Sequence, residues 1–258
     1  MTSRSHKQYI GRVPLAGLTI LMYCAAPAGA QRAQEPQPRA VSPAGPGQAP
    51  SDAIVLFNGR DLSAWTAREG RPPGWSIVDG VMTSTAKHEN KEPTGTWDMV
   101  SKATFGDSQI HVEFSIPDMP GATGQAKGNS GEYLQGRYEV QILDSWRNPT
   151  YANGSNGALY GRFAPLVNAS LPPGEWQTFD MVFHPPQCNS DGGTAQAGSL
   201  TVLHNQVLIQ DHVPVTDGPK CQSGPGPLLL QDHYHPDVTA TPMRFRNIWV
   251  RPVQEVRP

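Results

Sequence analysis

Residues 128–146, GNSGEYLQGRYEVQILDSW, bring Arg137, Glu139, Gln141 and Asp144 into close succession. A carboxylate flanked by a guanidinium and an amide can move a proton while its neighbours orient a polar ligand. The same residues also suit a solvated sheet face on which Glu139 pairs with arginine. Glu139 is the first candidate for acid/base work. His233, in LLLQDHYHP, is the second, because an imidazole titrates near neutrality. His235 stands close enough in sequence to replace it. Glu113 shares IHVEFS with His111 and is the third candidate, either extending the same surface or solvated elsewhere.

The elements that must carry these residues read as strands. RYEVQIL alternates Tyr138, Val140 and Ile142 against Arg137, Glu139 and Gln141, so the second set should project from one strand into one groove. SQIHVEFSIP alternates Ile110, Val112, Phe114 and Ile116 against Gln109, His111, Glu113 and Ser115. GWSIVDGVMTS predicts a hairpin turning at Asp79-Gly80, and SLTVLHNQVLIQD one turning near Asn205-Gln206. EWQTFDMVFH and MRFRNIWVRP complete the set. Helical spacing is scarce, and 26 prolines and 26 glycines punctuate the 258 residues. Many short strands with polar turns predict antiparallel sheets in an all-β sandwich or jelly roll, with one face of a sheet free to be polar.

Residues 1–30 read as a secretory leader: a basic start, an apolar stretch too short to span a bilayer, and Ala28-Gly29-Ala30 as the cleavage site. A lipoprotein anchored through Cys24 is the alternative, and Tyr23 before it fits that poorly. Residues 31–50, rich in Pro, Ala, Gln and Gly, predict a disordered linker, and residues 51–254 one domain. A periplasmic or secreted protein without stable membrane insertion is expected. Leader removal leaves Cys188 and Cys221, an even pair that predicts a disulfide in an exported chain. The formal net charge of −2, with no basic patch among aromatics, argues against nucleic acid as a partner.

IVLFNGRDLSAW, NSGEYLQGRYEVQILDS, NGALYG, PPGEWQTFDMVF and GPLLLQDHYH…MRFRNIWVRP follow one another from Ile54 to Pro252. Together they resemble the signature blocks of the 3-keto-disaccharide hydrolase domain, also described as 3-keto-glucoside 1,2-lyase and 3-keto-2-hydroxy-glucal hydratase. The resemblance implies a concanavalin-like jelly-roll sandwich and chemistry on glycosides whose C3 hydroxyl has become a ketone. That ketone acidifies the C2 proton, so a base can trigger loss of the C1 substituent, and water can then add to the unsaturated ketone. The net result is hydrolysis. On this reading Glu139, His233 and Glu113 are the catalytic candidates. Arg137, Gln141, Asp144, Asn129, Tyr133, Tyr160 and Trp65 are the substrate-binding ones, the aromatics offering faces to sugar rings or else filling the core. Asp144 and Asn129 suit turns equally well.

No nucleotide fingerprint is present, and no cofactor is assigned; a divalent metal polarising the ketone is compatible with the chemistry, but no compact ligand motif marks one. The oxidation that makes the ketone falls to a separate oxidoreductase. Two positions depart from the family's blocks: Glu132 replaces an apolar residue after NSG, which could alter substrate preference, and Gln206 replaces a turn glycine. A noncatalytic carbohydrate-binding module and a conventional glycoside hydrolase are the alternative readings.

Overall fold

The computed structural model of the chain describes residues 37–43, 45, 48–85, 96–217, 220–233 and 242–253. The expected leader, most of the first half of the expected linker and His235 lie outside these. Ala40–Pro258 form one compact unit; of the other, Met1–Arg39, only residues 37–39 are described.

The strands are β1 (Ile54–Phe57), β2 (Trp65–Ala67), β3 (Ser76–Val78), β4 (Val81–Thr83), β5 (Met99–Phe105) and β6 (Ser108–Ser115) in the first half. A hairpin of β7 (Asn129–Leu134) and β8 (Tyr138–Leu143) follows. Then come β9 (Trp176–His184), β10 (Gln187–Cys188), β11 (Thr194–Gln196), β12 (Gly198–His204), β13 (Val207–Val215), β14 (Gly226–Leu230) and β15 (Arg244–Pro252). Every pairing is antiparallel. An eight-stranded sheet runs β13-β12-β9-β6-β15-β4-β3, with β1 also on β15, and a five-stranded sheet runs β2-β5-β14-β7-β8. Among the described residues the helical elements are three single 3₁₀ turns. The jelly-roll sandwich expected from strand alternation is the fold.

Alternation decides which side chains close the core. From β6 it takes Ile110, Val112 and Phe114, and from β8 Tyr138, Val140 and Ile142, all buried. Trp65 is also core: it is fully buried and donates its indole N–H to the Leu56 carbonyl at 2.8 Å, so it offers no face to a sugar. The β3–β4 turn places both Asp79 (φ 51°) and Gly80 (φ 75°) in the left-handed region, the geometry a two-residue hairpin needs. At the β12–β13 turn Asn205 and Gln206 do the same without a glycine (φ 50° and 67°).

Cys188 and Cys221 are joined. Closing 33 residues of chain, this bond stabilises by about 3–4 kcal/mol in the chain-entropy account. Within the Pro-rich stretch, Ser51 donates its N–H to the Ser42 carbonyl (3.1 Å), and Ser42 donates its own to Ser51 Oγ (3.0 Å). The linker's last residues are thus tied back to the domain. They border a cavity of about 830 Å³ whose other wall includes His111, Asp180 and Trp249 on the eight-stranded sheet. No helix among the described residues is long and apolar enough to cross a membrane.

Candidate functional site

The β7–β8 hairpin sorts its side chains by period two. Ser130, Glu132 and Leu134 face the core opposite Ile142, Val140 and Tyr138, while Gly131 and Tyr133 share the outer face with Gln141 and Glu139. Tyr133 lies directly opposite Glu139, and Gly131 opposite Gln141. The absence of a side chain at Gly131 leaves room for Glu139: a Cβ there would stand 2.4 Å from Glu139 Oε1 and would push the carboxylate aside. The Tyr133 hydroxyl lies beside the Glu139 carboxylate, whose pKa it lowers, and accepts from Gln231 Nε2 at 3.0 Å. Gln231 is fixed in turn: its N–H donates to the Gly131 carbonyl (2.9 Å), and its own carbonyl accepts from Ser130 Oγ (2.7 Å).

Sheet order brings in residues from far upstream. Arg68 follows β2 and Asp98 precedes β5, and their pair closes at 2.6 Å. Asp98 Oδ1 also accepts the Asp232 N–H at 2.8 Å. Burial nevertheless holds the Asp98 carboxyl above its ordinary value, against the pull of those two donors. Burial is also the main reason that Glu139 is raised to about 7; the Asp98 charge adds to it and the Tyr133 hydrogen bond works the other way. A carboxylate so poised exchanges protons readily near neutral pH.

Gln141 is buried on the same face. Its amide nitrogen lies 3.0 Å from Gln125 Oε1, or, with the amide turned over, 3.3 Å from Glu139 Oε1. Asn129 donates to the Gln125 carbonyl (2.9 Å), and buried Asp144 binds Lys127 Nζ (2.8 Å) while accepting the Trp146 N–H (3.0 Å). Both therefore hold the 124–127 segment onto the sheet and shape the wall beside Gln141. Tyr160 lies along the edge of β8, donating its N–H to the Glu139 carbonyl at 2.9 Å. His233, half-buried, leaves β14 two residues after Gln231 and follows Asp232, the residue that binds Asp98.

Two expected members stand elsewhere. Arg137 occupies the turn before β8, where alternation does not operate. It binds Asp217 (3.0 Å), Gln135 Oε1 (2.5 Å) and the Gln222 carbonyl, and it lies over the Tyr138 ring. It latches the segment leading to Cys221 instead of lining a groove with Glu139. Glu113 and His111 project from the outer face of the eight-stranded sheet, with the whole core between them and Glu139. There Arg246 Nε donates to Glu113 at 2.6 Å, Asn247 Nδ2 at 2.9 Å, and His111 Nδ1 meets Asp180 Oδ1 at 2.6 Å. Burial opposes ionisation of Glu113, yet the two hydrogen bonds and the Arg246 and His111 charges hold it below the usual carboxylate range. Glu113 is not a partner of Glu139.

Glu132 is a third case. It faces the core between Leu230 and Val140, fully buried, with neither carboxylate oxygen hydrogen-bonded. It cannot meet a substrate on the outer face, so it does not set substrate preference by contact. Arg68, Asp98 and Gln231 were not legible as site residues. They sit on separate strands and loops, and no local spacing connects them. Among the described residues no group of three or more His, Cys, Asp or Glu side chains is placed to hold a metal ion.

Comparison with solved structures finds a Parabacteroides distasonis protein, provisionally called a glycosyl hydrolase, at 38% identity. The match covers 90% of this chain and 98% of that one, with a TM-score of 0.77. A second protein of that organism, provisionally named the same way, matches at 18% identity over 78% of this chain and 94% of its own, with a TM-score of 0.55, and so shares the fold. Comparison with curated sequences gives no match. A family model described as the 3-keto-alpha-glucoside-1,2-lyase-like domain matches residues 52–251, nearly the whole sandwich with the Glu139 face included. The chain belongs to the 3-keto-alpha-glucoside-1,2-lyase-like domain family.

Proposed function

We propose that this protein is an exported enzyme that cleaves 3-keto-glycosides by 1,2-elimination, with or without hydration of the product. The observation that carries the reading is Glu139, opposite Tyr133 on an outer sheet face and with its carboxyl raised to about 7. Its carboxylate takes the C2 proton, and the electron pair moves into the C2–C3 bond as the C3 oxygen becomes an enolate. When that enolate collapses, the C1–O bond breaks and a C1=C2 bond forms. Water adding at C1 completes net hydrolysis. Gln231 and Tyr133 keep the Glu139 carboxylate oriented, while Arg68 on the same sheet face is taken up by Asp98. The ketone itself is made beforehand by a separate sugar oxidoreductase. Family membership and the carbohydrate-active description of the structural relative support a sugar substrate.

Export is supported by the leader pattern of residues 1–30 and by the Cys188–Cys221 bond, since such bonds persist in oxidising compartments. N-terminal sequencing of protein recovered from a secreting host should begin just after Ala30.

A conventional glycosidase would need a second carboxyl beside Glu139; Asp98 is near enough for its charge to act on Glu139, but it is buried and engaged by Arg68 and the Asp232 N–H. The experiment that separates the readings offers a disaccharide and its 3-keto form to the same protein. Cleavage of the 3-keto form alone, with a transient enone absorbance, is the expected result. Cleavage of the unoxidised sugar would reject elimination, and retention of either sugar without turnover would make the domain a binding module.

A further inference from the structure

Elimination from a disaccharide leaves one step without a residue. The departing glycosidic oxygen is a sugar alkoxide, a stronger base than a phenolate, and it needs a proton as the C1–O bond breaks. Glu139 holds the C2 proton when the enolate collapses, but it is set against C2, and a donor set toward the C1 substituent would protonate the departing oxygen directly.

Beside Glu139 stand two tyrosines whose hydroxyl oxygens are 2.5 Å apart, with their rings edge to face at 6.3 Å. Both remain accessible, Tyr151 at 48% and Tyr160 at 40%. They are nevertheless held in place. Leu159 bridges Val140, and the Tyr160 N–H bonds the Glu139 carbonyl, so this segment runs along the edge of the strand that carries the base. The Tyr151 ring packs on Gly154, where a Cβ would fall 2.0 Å from a ring carbon and displace the ring. The Gly154 carbonyl is in turn gripped by Gln125 Nε2 at 2.9 Å. Partial burial and the bond to Tyr160 push the Tyr151 phenol up to about 12, and the Glu139 charge reaches it as well. It therefore keeps its proton at neutral pH. Two hydroxyls joined by one hydrogen bond use one proton between them, leaving the other to donate to a third atom.

We propose that Tyr151 and Tyr160 form the leaving-group subsite of the Glu139 face and that this phenol pair protonates the departing glycosidic oxygen. The proposal rests on the 3-keto-glycoside reading above. Glu139 accepts the C2 proton, the C1–O bond breaks, and its oxygen takes the free phenol proton. The phenolate left behind is stabilised by the neighbouring phenol O–H, then regains a proton from water. The accessible aromatic rings offer packing surface to the leaving sugar.

Tyr151→Phe and Tyr160→Phe test this, because each keeps the ring and removes one hydroxyl. Two substrates are compared: a 3-keto-disaccharide, whose leaving oxygen needs a proton, and a 4-nitrophenyl 3-keto-glucoside, whose leaving anion does not. For at least one variant, kcat on the disaccharide should fall about 10²-fold or more, the usual size of a general-acid contribution, while the nitrophenyl rate stays within about threefold. Equal losses on both substrates would assign the pair a positioning role, and unchanged disaccharide turnover would assign it none; either result overturns the proposal. Wild-type protein inert on both substrates would instead reject the 3-keto-glycoside reading beneath it. A thermal melt checks each fold. Should Tyr151→Phe not fold, Tyr160→Phe carries the test.

Discussion

The two sheets each present a glutamate on their outer face, and they treat it in opposite ways. Glu113 on β6 is met by Arg246 and Asn247 and held below the usual carboxylate range. Glu139 on β8 has a phenol and amides for neighbours, with Asp98 adding like charge, and is raised to about 7. Both strands show the same alternation, and both carboxylates are partly shielded from water. The difference lies in compensation. A carboxylate that receives a guanidinium fastens strands together, whereas one denied a cation retains affinity for a proton and remains available for chemistry.

The sharpest way to break this contrast is to remove each charge. Glu139→Gln should lower turnover of a 3-keto-glycoside by about 10²–10⁴-fold, the range for a positioned base, with little change in melting temperature. Glu113→Gln should leave kcat unchanged and lower the melting temperature, because Arg246 loses its counter-ion. Loss of chemistry in the Glu113 variant, or its survival in the Glu139 variant, would undo the assignment.

The two groups should also leave opposite marks on stability against pH. Glu139 has a raised folded pKa, so its contribution is complete below its ordinary value near 4.5 and is lost as pH rises through about 7. Glu113 has a lowered one, so its contribution is present above 4.5 and is lost as pH falls through the lowered value. Activity should rise through about pH 7 as Glu139 ionises. Asp98→Asn removes the nearby negative charge and should shift that limb to lower pH; an unmoved limb would separate Asp98 from Glu139.

Glu132 carries the contrast to its limit, with burial and no compensation. Burial raises its pKa well above the usual value, so its contribution is likewise fullest in acid and lost as pH climbs. Glu132→Leu should stabilise the fold by about 1–3 kcal/mol, the penalty of an unpaired buried polar group, with the gain greatest at alkaline pH. Urea melts at two pH values would measure it, and a destabilised variant would show that the carboxyl has a partner after all. The smallest expected effect lies at the β12–β13 turn: Gln206→Gly should relieve the left-handed backbone at φ 67° and stabilise by about 1 kcal/mol, leaving activity untouched. A lower melting temperature for this variant would mean that the Gln206 side chain contributes more than its backbone strain costs.

The sequence by itself determined the local geometry. Period-two alternation assigned Ile110, Val112 and Phe114, and likewise Tyr138, Val140 and Ile142, to the core, because successive strand residues must point to opposite faces. Asp79-Gly80 fixed a turn through the left-handed backbone it tolerates, and the expected pairing of Cys188 with Cys221 is formed. The same alternation in NSGEYL already set Glu132 on the face of Leu134, opposite that of Tyr133. Alternation is silent on which sheet a strand joins, and that is where tertiary structure decided. Pairing placed β6 and β8 in different sheets, separating Glu113 from Glu139, and turned Arg137 to Asp217 because it precedes its strand. The order β2-β5-β14-β7-β8 then drew Arg68, Asp98 and Gln231 onto the Glu139 face. Such non-local pairings leave no spacing in the sequence, because antiparallel partners are selected by the fit of whole strands across the core.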